Sequence, residues 1–270
     1  MAIHPMLNTA IKAARRAGNQ IVRAMDHLDG LSIEAKGTND FVSEVDRNAE
    51  KTIIETLLQA YPDHGILAEE SGIKEGKTLH QWIIDPLDGT TNFLHGHPQF
   101  AVSIALKFRG KLEQAVVYNP MTEELFTATL GRGAFLNNRR IRVSQVNQLR
   151  YALLGTGFPF REERYLEIYL ETFRRLFPNS SGVRRAGSAA LDLAYIAAGR
   201  LDGFWEFHLQ PWDIAAGALL IKEAGGMVTD MKGGEDYFDS GDILAGNLKI
   251  HQRLQKELAE CLVTANSTTN

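Results

Sequence analysis

"WIIDPLDGTTNF", residues Trp82 to Phe93, runs three apolar residues into Asp85, follows with Asp88, and then strings Gly89, Thr90, Thr91 and Asn92 together. The apolar run predicts a buried strand, and strand ends in α/β proteins are where loops carry chemistry on a rigid base. Other carboxylates sit at similar places. Glu69 and Glu70 close the strand-like "GILAEES", and Asp213 lies in "PWDIAAG". Singly, each suits a turn or a helix cap. Two carboxylates about 5 Å apart, however, repel by roughly 3 kcal/mol at an effective dielectric near 20. Three or four in one pocket therefore require protonation or cations. Hard oxygen donors without a nearby cysteine select Mg²⁺, with Mn²⁺ as a substitute, and disfavour zinc. Small residues before a helical turn offer backbone N–H groups to an anion, so "DPLDGTT" reads as metal ligands followed at once by a phosphate cradle.

Outward from this stretch the chain divides near residue 145. The first half, 1–145, predicts an α+β unit: an amphipathic helix over about 5–28, strand and turn in "SIEAKGTNDFVSEVD", and a second helix capped by Ser43. Ser71 to His80 reads as a surface loop, and short segments with turns over 100–143 predict an antiparallel meander. The second half, 146–270, alternates strands with helices over 163–177, 188–199, 212–224 and 248–262, which is α/β rhythm. "ANSTTN" at the end has the composition of a disordered tail. The two halves are expected to pack as one unit.

Bulk composition excludes several classes. In 270 residues, 44% hydrophobic and 23% charged content is ordinary for a globular chain, and a net charge of -4 gives no general pull toward nucleic acid or anionic lipid. The short arginine pairs, such as Arg139-Arg140 and Arg184-Arg185, have no interleaved aromatics and read as solvated faces. Cys261 alone supports neither a disulfide framework nor a cysteine zinc site. No apolar run suits a membrane span or a signal peptide, so a soluble cytoplasmic protein is expected.

Two families write something close to the central motif. Haloacid-dehalogenase-type phosphatases end a strand in D-x-D-G-T with the first aspartate as nucleophile. Here the second aspartate comes one residue later, which in a regular strand turns it to the opposite face. The longer form resembles the inositol monophosphatase family, with its signature W-x-x-D-P-[IL]-D-G-T-T-N-F. "ILAEES", "KGTNDFVSEVD", "RRAGSAALDLAYIAAGRLDGFWE" and "PWDIAAGALLIKEAGG" are similar to further blocks of that family, in family order across nearly the whole chain. The arginine pair before Gly187 and the length are most similar to the bacterial SuhB-type branch.

The resemblance implies a layered α-β-α-β-α sandwich, usually a homodimer, that hydrolyses a small polyol phosphate with two to three Mg²⁺ ions and is inhibited by Li⁺. Inositol 1-phosphate is the substrate it puts first. Fructose 1,6-bisphosphate, 3′-phosphoadenosine 5′-phosphate and histidinol phosphate are those of related branches. It implies Glu69, Asp85 and the Leu87 carbonyl at a first metal, Asp85, Asp88 and Asp213 at a second, and a weaker third ion on Glu69. Gly89 and Thr90 would bind phosphate, with Leu87 and Asp88 beside it. Thr90 and Asp46 would position the attacking water, Glu69 and Asp88 sharing the catalytic work, with Lys36, Asp40 and Glu70 in support. Arg184, the Gly187-Ser188-Ala189 turn, Glu206 and Asp213 would meet the substrate's hydroxyls. Ser188 stands where the family commonly has threonine, and Gln210 where animal members have histidine. SuhB-type members also serve in transcription antitermination complexes, so antitermination factors or RNA polymerase are implied as further partners.

Overall fold

The computed structural model describes residues 3–30, 33–37, 40–159 and 163–268, the side chains of 29–30, 33, 35–37, 40–42, 163 and 262–268 excepted. Helix α1, Pro5–Ala24, opens with proline at a position where its missing N–H costs nothing, and buries Leu7, Ala10, Ala14, Ala17 and Ile21 along one face. A 3₁₀ segment, Met25–Gly30, replaces the last turn expected of this helix. A small hairpin follows, β1 (Ile33–Gly37) with β2 (Asp40–Ser43), and then α2, Glu44–Ala60. Ser43 caps α2 as expected, its Oγ accepting from Val45 N at 3.2 Å.

The larger sheet takes β3 (Gly65–Ala68), β4 (Gly72–Lys74) and β5 (His80–Asp88) from this region. After the short helix α3, Thr90–Leu94, it adds β6 (Ala101–Phe108), β7 (Lys111–Asn119), β8 (Glu124–Thr129), β9 (Gly133–Leu136) and β10 (Arg139–Arg140). The order is β10-β9-β8-β7-β6-β5-β3-β4, with the expected meander on one side and β3 parallel to β5 on the other. The stretch read as a loop after Ser71 holds β4, whose pairing with Gly65–Ala68 outweighs its polar composition.

The smaller sheet is built from β11 (Leu153–Thr156), β12 (Gly182–Arg184), β13 (Gly203–Glu206), β14 (Met227–Thr229) and β15 (Ile243–Gly246), in the order β12-β11-β13-β15-β14. Its helices are α4 (Leu166–Leu176), α5 (Ala189–Ala197), α6 (Pro211–Glu223), the short α7 (Tyr237–Ser240) and α8 (Leu248–Thr268). The last continues six residues past the expected end at 262, into the stretch read as a tail.

Packing gives the layers. Helices α1 and α2 cover one face of the large sheet, α5 and α6 fill the space between the two sheets, and α4 and α8 cover the far face of the small one. Both faces of the large sheet are thus buried, which is why β6 is apolar without alternation. Alternation still decides which face each residue serves. Trp82 and Ile84 pack under α1 and α2, whereas Ile83 packs under α5 and α6.

His251 of α8 is 1% exposed, with Nε2 2.8 Å from Thr229 Oγ1 and no partner for Nδ1. Burial pushes its pKa down from 6.5 to about 4. Between these values the unfolded chain holds a proton that the native state refuses, so stability falls as pH falls through this window, by up to about 3 kcal/mol. His251→Gln should flatten the fall of the thermal midpoint between pH 6.5 and 4, measured by calorimetry. An unchanged slope would assign the acid sensitivity to other groups.

Candidate active site

In a regular strand Asp85 and Asp88 face opposite ways, yet they do not here. Asp85 pairs with Ser103 and Asp88 with Ala101, so the three-residue step on β5 spans a two-residue step on β6. The extra residue is absorbed in a bulge at Pro86-Leu87. Proline cannot donate to the ladder, and Leu87 N donates instead to Asp85 Oδ1 at 3.0 Å. Both aspartates therefore serve the face turned toward α5 and α6, where Asp213 stands in the first turn of α6. Gln210 N donates to Asp213 Oδ2 at 2.7 Å, which fixes that carboxylate at the helix start.

The result is a cluster in which one carboxylate oxygen from each of Asp85, Asp88 and Asp213 lies within 4.8 Å of the others. Asp85 is 2% exposed, and its pKa is driven well above the usual carboxylate range by burial, then by Glu69, Asp88 and Asp213. Burial also lifts Asp88, to about 6, against the stabilising donors Ser188 and Ala190. Such a set of hard, mutually repelling oxygen donors fits a divalent cation of the Mg²⁺ kind. Glu69 lines the same cavity. The buried Glu50 clasps the turn that follows it, Oε2 accepting from Glu70 N at 2.8 Å and Oε1 from Ser71 N at 2.9 Å. Glu70 itself is not on the cavity wall.

Gly89 has φ +97° and hands the chain to α3. A Cβ there would lie 2.8 Å from Gln99 O. Thr90 Oγ1 lies 2.8 Å from Asp46 Oδ1 and 3.1 Å from the Leu87 carbonyl. Asp46 is 0% exposed and touches the cavity only through Thr90, while its Oδ2 accepts from Ser43 N at 2.9 Å and Ser43 Oγ at 2.6 Å. One carboxylate thus caps α2 and addresses the site at once.

The opposite wall comes from the second half. Asp88 Oδ2 accepts from Ser188 Oγ at 2.6 Å and from Ala190 N at 2.7 Å, so the start of α5 is tied directly to the bulge. Gly187, Ser188, Ala189, Glu206 and Asp213 line a cavity of about 460 Å³ together with Glu69, Asp85, Leu87, Asp88, Gly89 and Thr90. Arg184, expected at the substrate, is exposed and folds back on the Val183 carbonyl at 3.1 Å. Its neighbour Arg185 lines the cavity instead, because successive residues leaving a strand point to opposite sides. The side chains of Lys36 and Asp40 lie outside the described residues.

Three contributors escape the sequence reading. Asn92 Nδ2 reaches the carbonyls of Gln99 at 2.7 Å and Ala186 at 2.9 Å, bracing the turn after Gly89 against the turn at Gly187. Its place in the motif is visible in the sequence, its partners are not. Glu50 looks like any helix-face carboxylate. Asp192 could be flagged as a charge inside "AALDLA", and it is 2% exposed on the cavity wall.

Comparison with known proteins gives the same reading from outside. The model of the inositol monophosphatase family matches residues 2–267. The chain belongs to that family. Nus factor SuhB of Pseudomonas aeruginosa is 54% identical over 257 residues, covering 93% of this chain and 95% of that one. The crystal structure of extragenic suppressor protein SuhB from Bartonella henselae superposes with a TM-score of 0.93 at 49% identity, over 94% of this chain and 98% of that one. An inositol monophosphatase from Anabaena gives 0.83 at 39% identity, over 94% and 95%. Membership makes this inositol monophosphatase fold a phosphatase scaffold, and no helix among its described residues is long and apolar enough to cross a membrane.

Gly89→Ala should cost about 1–2 kcal/mol from the left-handed backbone alone, with the contact to Gln99 O adding to it. Urea unfolding measures this. A loss below about 0.5 kcal/mol would mean the turn adapts freely.

Proposed function

We propose that this chain is a Mg²⁺-dependent phosphomonoesterase acting on a small polyol phosphate, inositol 1-phosphate foremost. The observation that carries the reading is the carboxylate cluster lying directly beside an anion-receptive Gly89-Thr90 turn, in a cavity whose far wall bears Glu206. Glu69, Asp85, the Leu87 carbonyl, Asp88 and Asp213 would hold the metal. Bound there, the cation supplies charge neutralisation on the phosphate and a lowered pKa for coordinated water.

The chain's own residues do the rest. Backbone N–H groups at Gly89 and Thr90 receive the phosphate oxygens. The Thr90 hydroxyl donates its proton toward Asp46 Oδ1, which leaves an oxygen lone pair to accept a proton from an attacking water. Asp46 is the terminal acceptor of that relay, held still by Ser43 so that little reorganises as charge arrives. Lys36 and Asp40 stand as supporting charges in this reading. Ser188, Ala189 and Glu206 address the substrate's hydroxyls, with Arg185 taking the rim position expected of Arg184. Water attack is favoured over an aspartyl-phosphate at Asp85, since a carboxylate committed to metal is a poor nucleophile.

Asp88→Asn and Asp213→Asn should each lower kcat about 10²-fold or more while the protein stays folded. Chelation should abolish activity, Mg²⁺ restore it and excess Li⁺ inhibit it. Full turnover in EDTA would remove the metal reading. A panel of inositol 1-phosphate, fructose 1,6-bisphosphate, 3′-phosphoadenosine 5′-phosphate and histidinol phosphate ranks the substrate.

A second role is supported by relatives of about half-identical sequence that carry the name Nus factor. In this reading the chain, as a cytoplasmic homodimer, also joins a transcription antitermination complex through protein contacts. Pull-down with antitermination factors and RNA polymerase, run in parallel on wild type and Asp88→Asn, tests it. Equal recovery would separate the role from catalysis, and no recovery with either would reject it.

A further inference from the structure

Asp192 lies one turn into α5, four residues after the cap Ser188, among alanines and leucines that face the core. A carboxylate set in such a face needs a reason, because a buried charge without partners is costly. Asp88 has its donors in Ser188 and Ala190, whereas no hydrogen-bond donor reaches the Asp192 side chain among the described residues. Yet Asp192, although 2% exposed, forms part of the cavity wall, where a ligand is the nearest source of donors for it. Glu206, 8% exposed, lines the same cavity and is close enough to feel the charge of Asp192. Room for Glu206 depends on Gly157, where a Cβ would fall 1.8 Å from Oε1.

We propose that Asp192 and Glu206 form a paired acceptor wall that selects a ligand carrying at least two hydroxyls on the carbon frame next to its phosphate. The inference rests on the phosphatase reading and deepens it. Hydroxyls supply the missing donors without adding charge. An ammonium group would also satisfy two carboxylates, but Arg185 already stands on this wall and opposes a second cation. An aryl phosphate offers no donor and would leave both groups unmet. Discrimination therefore comes as much from acceptors left bare by the wrong ester as from hydrogen bonds made to the right one.

The test compares wild type with Asp192→Asn and Asp192→Ser, both checked for a native thermal midpoint, so that a misfolded variant leaves the other in play. The ratio of kcat/KM for inositol 1-phosphate to that for p-nitrophenyl phosphate should fall at least fivefold, chiefly through KM on the inositol ester. A smaller change overturns the proposal, as does a wild type that prefers histidinol phosphate to the inositol ester. Calorimetric binding of free myo-inositol in the presence of Mg²⁺ and inorganic phosphate is measured alongside, and should weaken by a similar factor. Wild type inactive on every phosphate would reject the phosphatase reading instead. The binding comparison then still decides Asp192: binding that is absent in wild type, or unchanged in the variants, overturns its role.

Discussion

Everything around the cavity answers one electrostatic demand, that three carboxylates lie within 4.8 Å of one another in a largely buried place. Like charges at that distance separate unless the backbone bearing them is fixed more strongly than they repel. Asp85 is carried by an interior strand of an eight-stranded sheet, and Asp213 by the first turn of a helix packed between two sheets. Asp88 is fixed by Ser188 and Ala190, which begin α5. The three therefore come from elements sharing a single hydrophobic core, formed by residues from Ile83 to Ala245. Without it the cluster would open.

The same demand explains how the sequence can be read and where it misleads. Apolar runs, the Ser43 cap and the α/β rhythm are legible because each is a local consequence of burial or of an unsatisfied helix end. The expected opposition of Asp85 and Asp88 follows correctly from strand periodicity, but Pro86 breaks the ladder and a bulge restores their common face. Only pairing across to Ser103 and Ala101 reveals it. Arg184 and Arg185 are likewise equivalent in sequence, and which of them turns inward depends on how the end of β12 meets α5. The short β4 is hidden because an edge strand of three residues has little apolar pattern to show.

Some residues at the site serve two structural levels, and sequence alone exposes only one. Asp46 looks like a first-turn carboxylate at a helix start, which it is, since it reaches back to Ser43 N. Its other oxygen is directed at Thr90. Glu50, one turn further, binds the backbone after Glu69. Helix α2 thus sets both the carboxylate behind Thr90 and the turn that carries Glu69, although neither α2 residue lines the cavity. A rigid body placed behind the site holds its parts in register more firmly than the loops could by themselves.

Binding and folding are coupled by this arrangement. With no cation bound, burial and the neighbouring carboxylates push Asp85 well above the usual carboxylate range and burial lifts Asp88 to about 6, so the pocket holds protons more readily than free carboxylates do. A cation held here would have to displace those protons, so its affinity would rise with pH. Because it would bind the folded cluster and not the separated chain segments, it would also add to the stability of the junction between the two sheets. The repulsion that would loosen a metal-free pocket is thus the same interaction that would draw a cation in, and the fold tolerates the first because the core behind it is continuous.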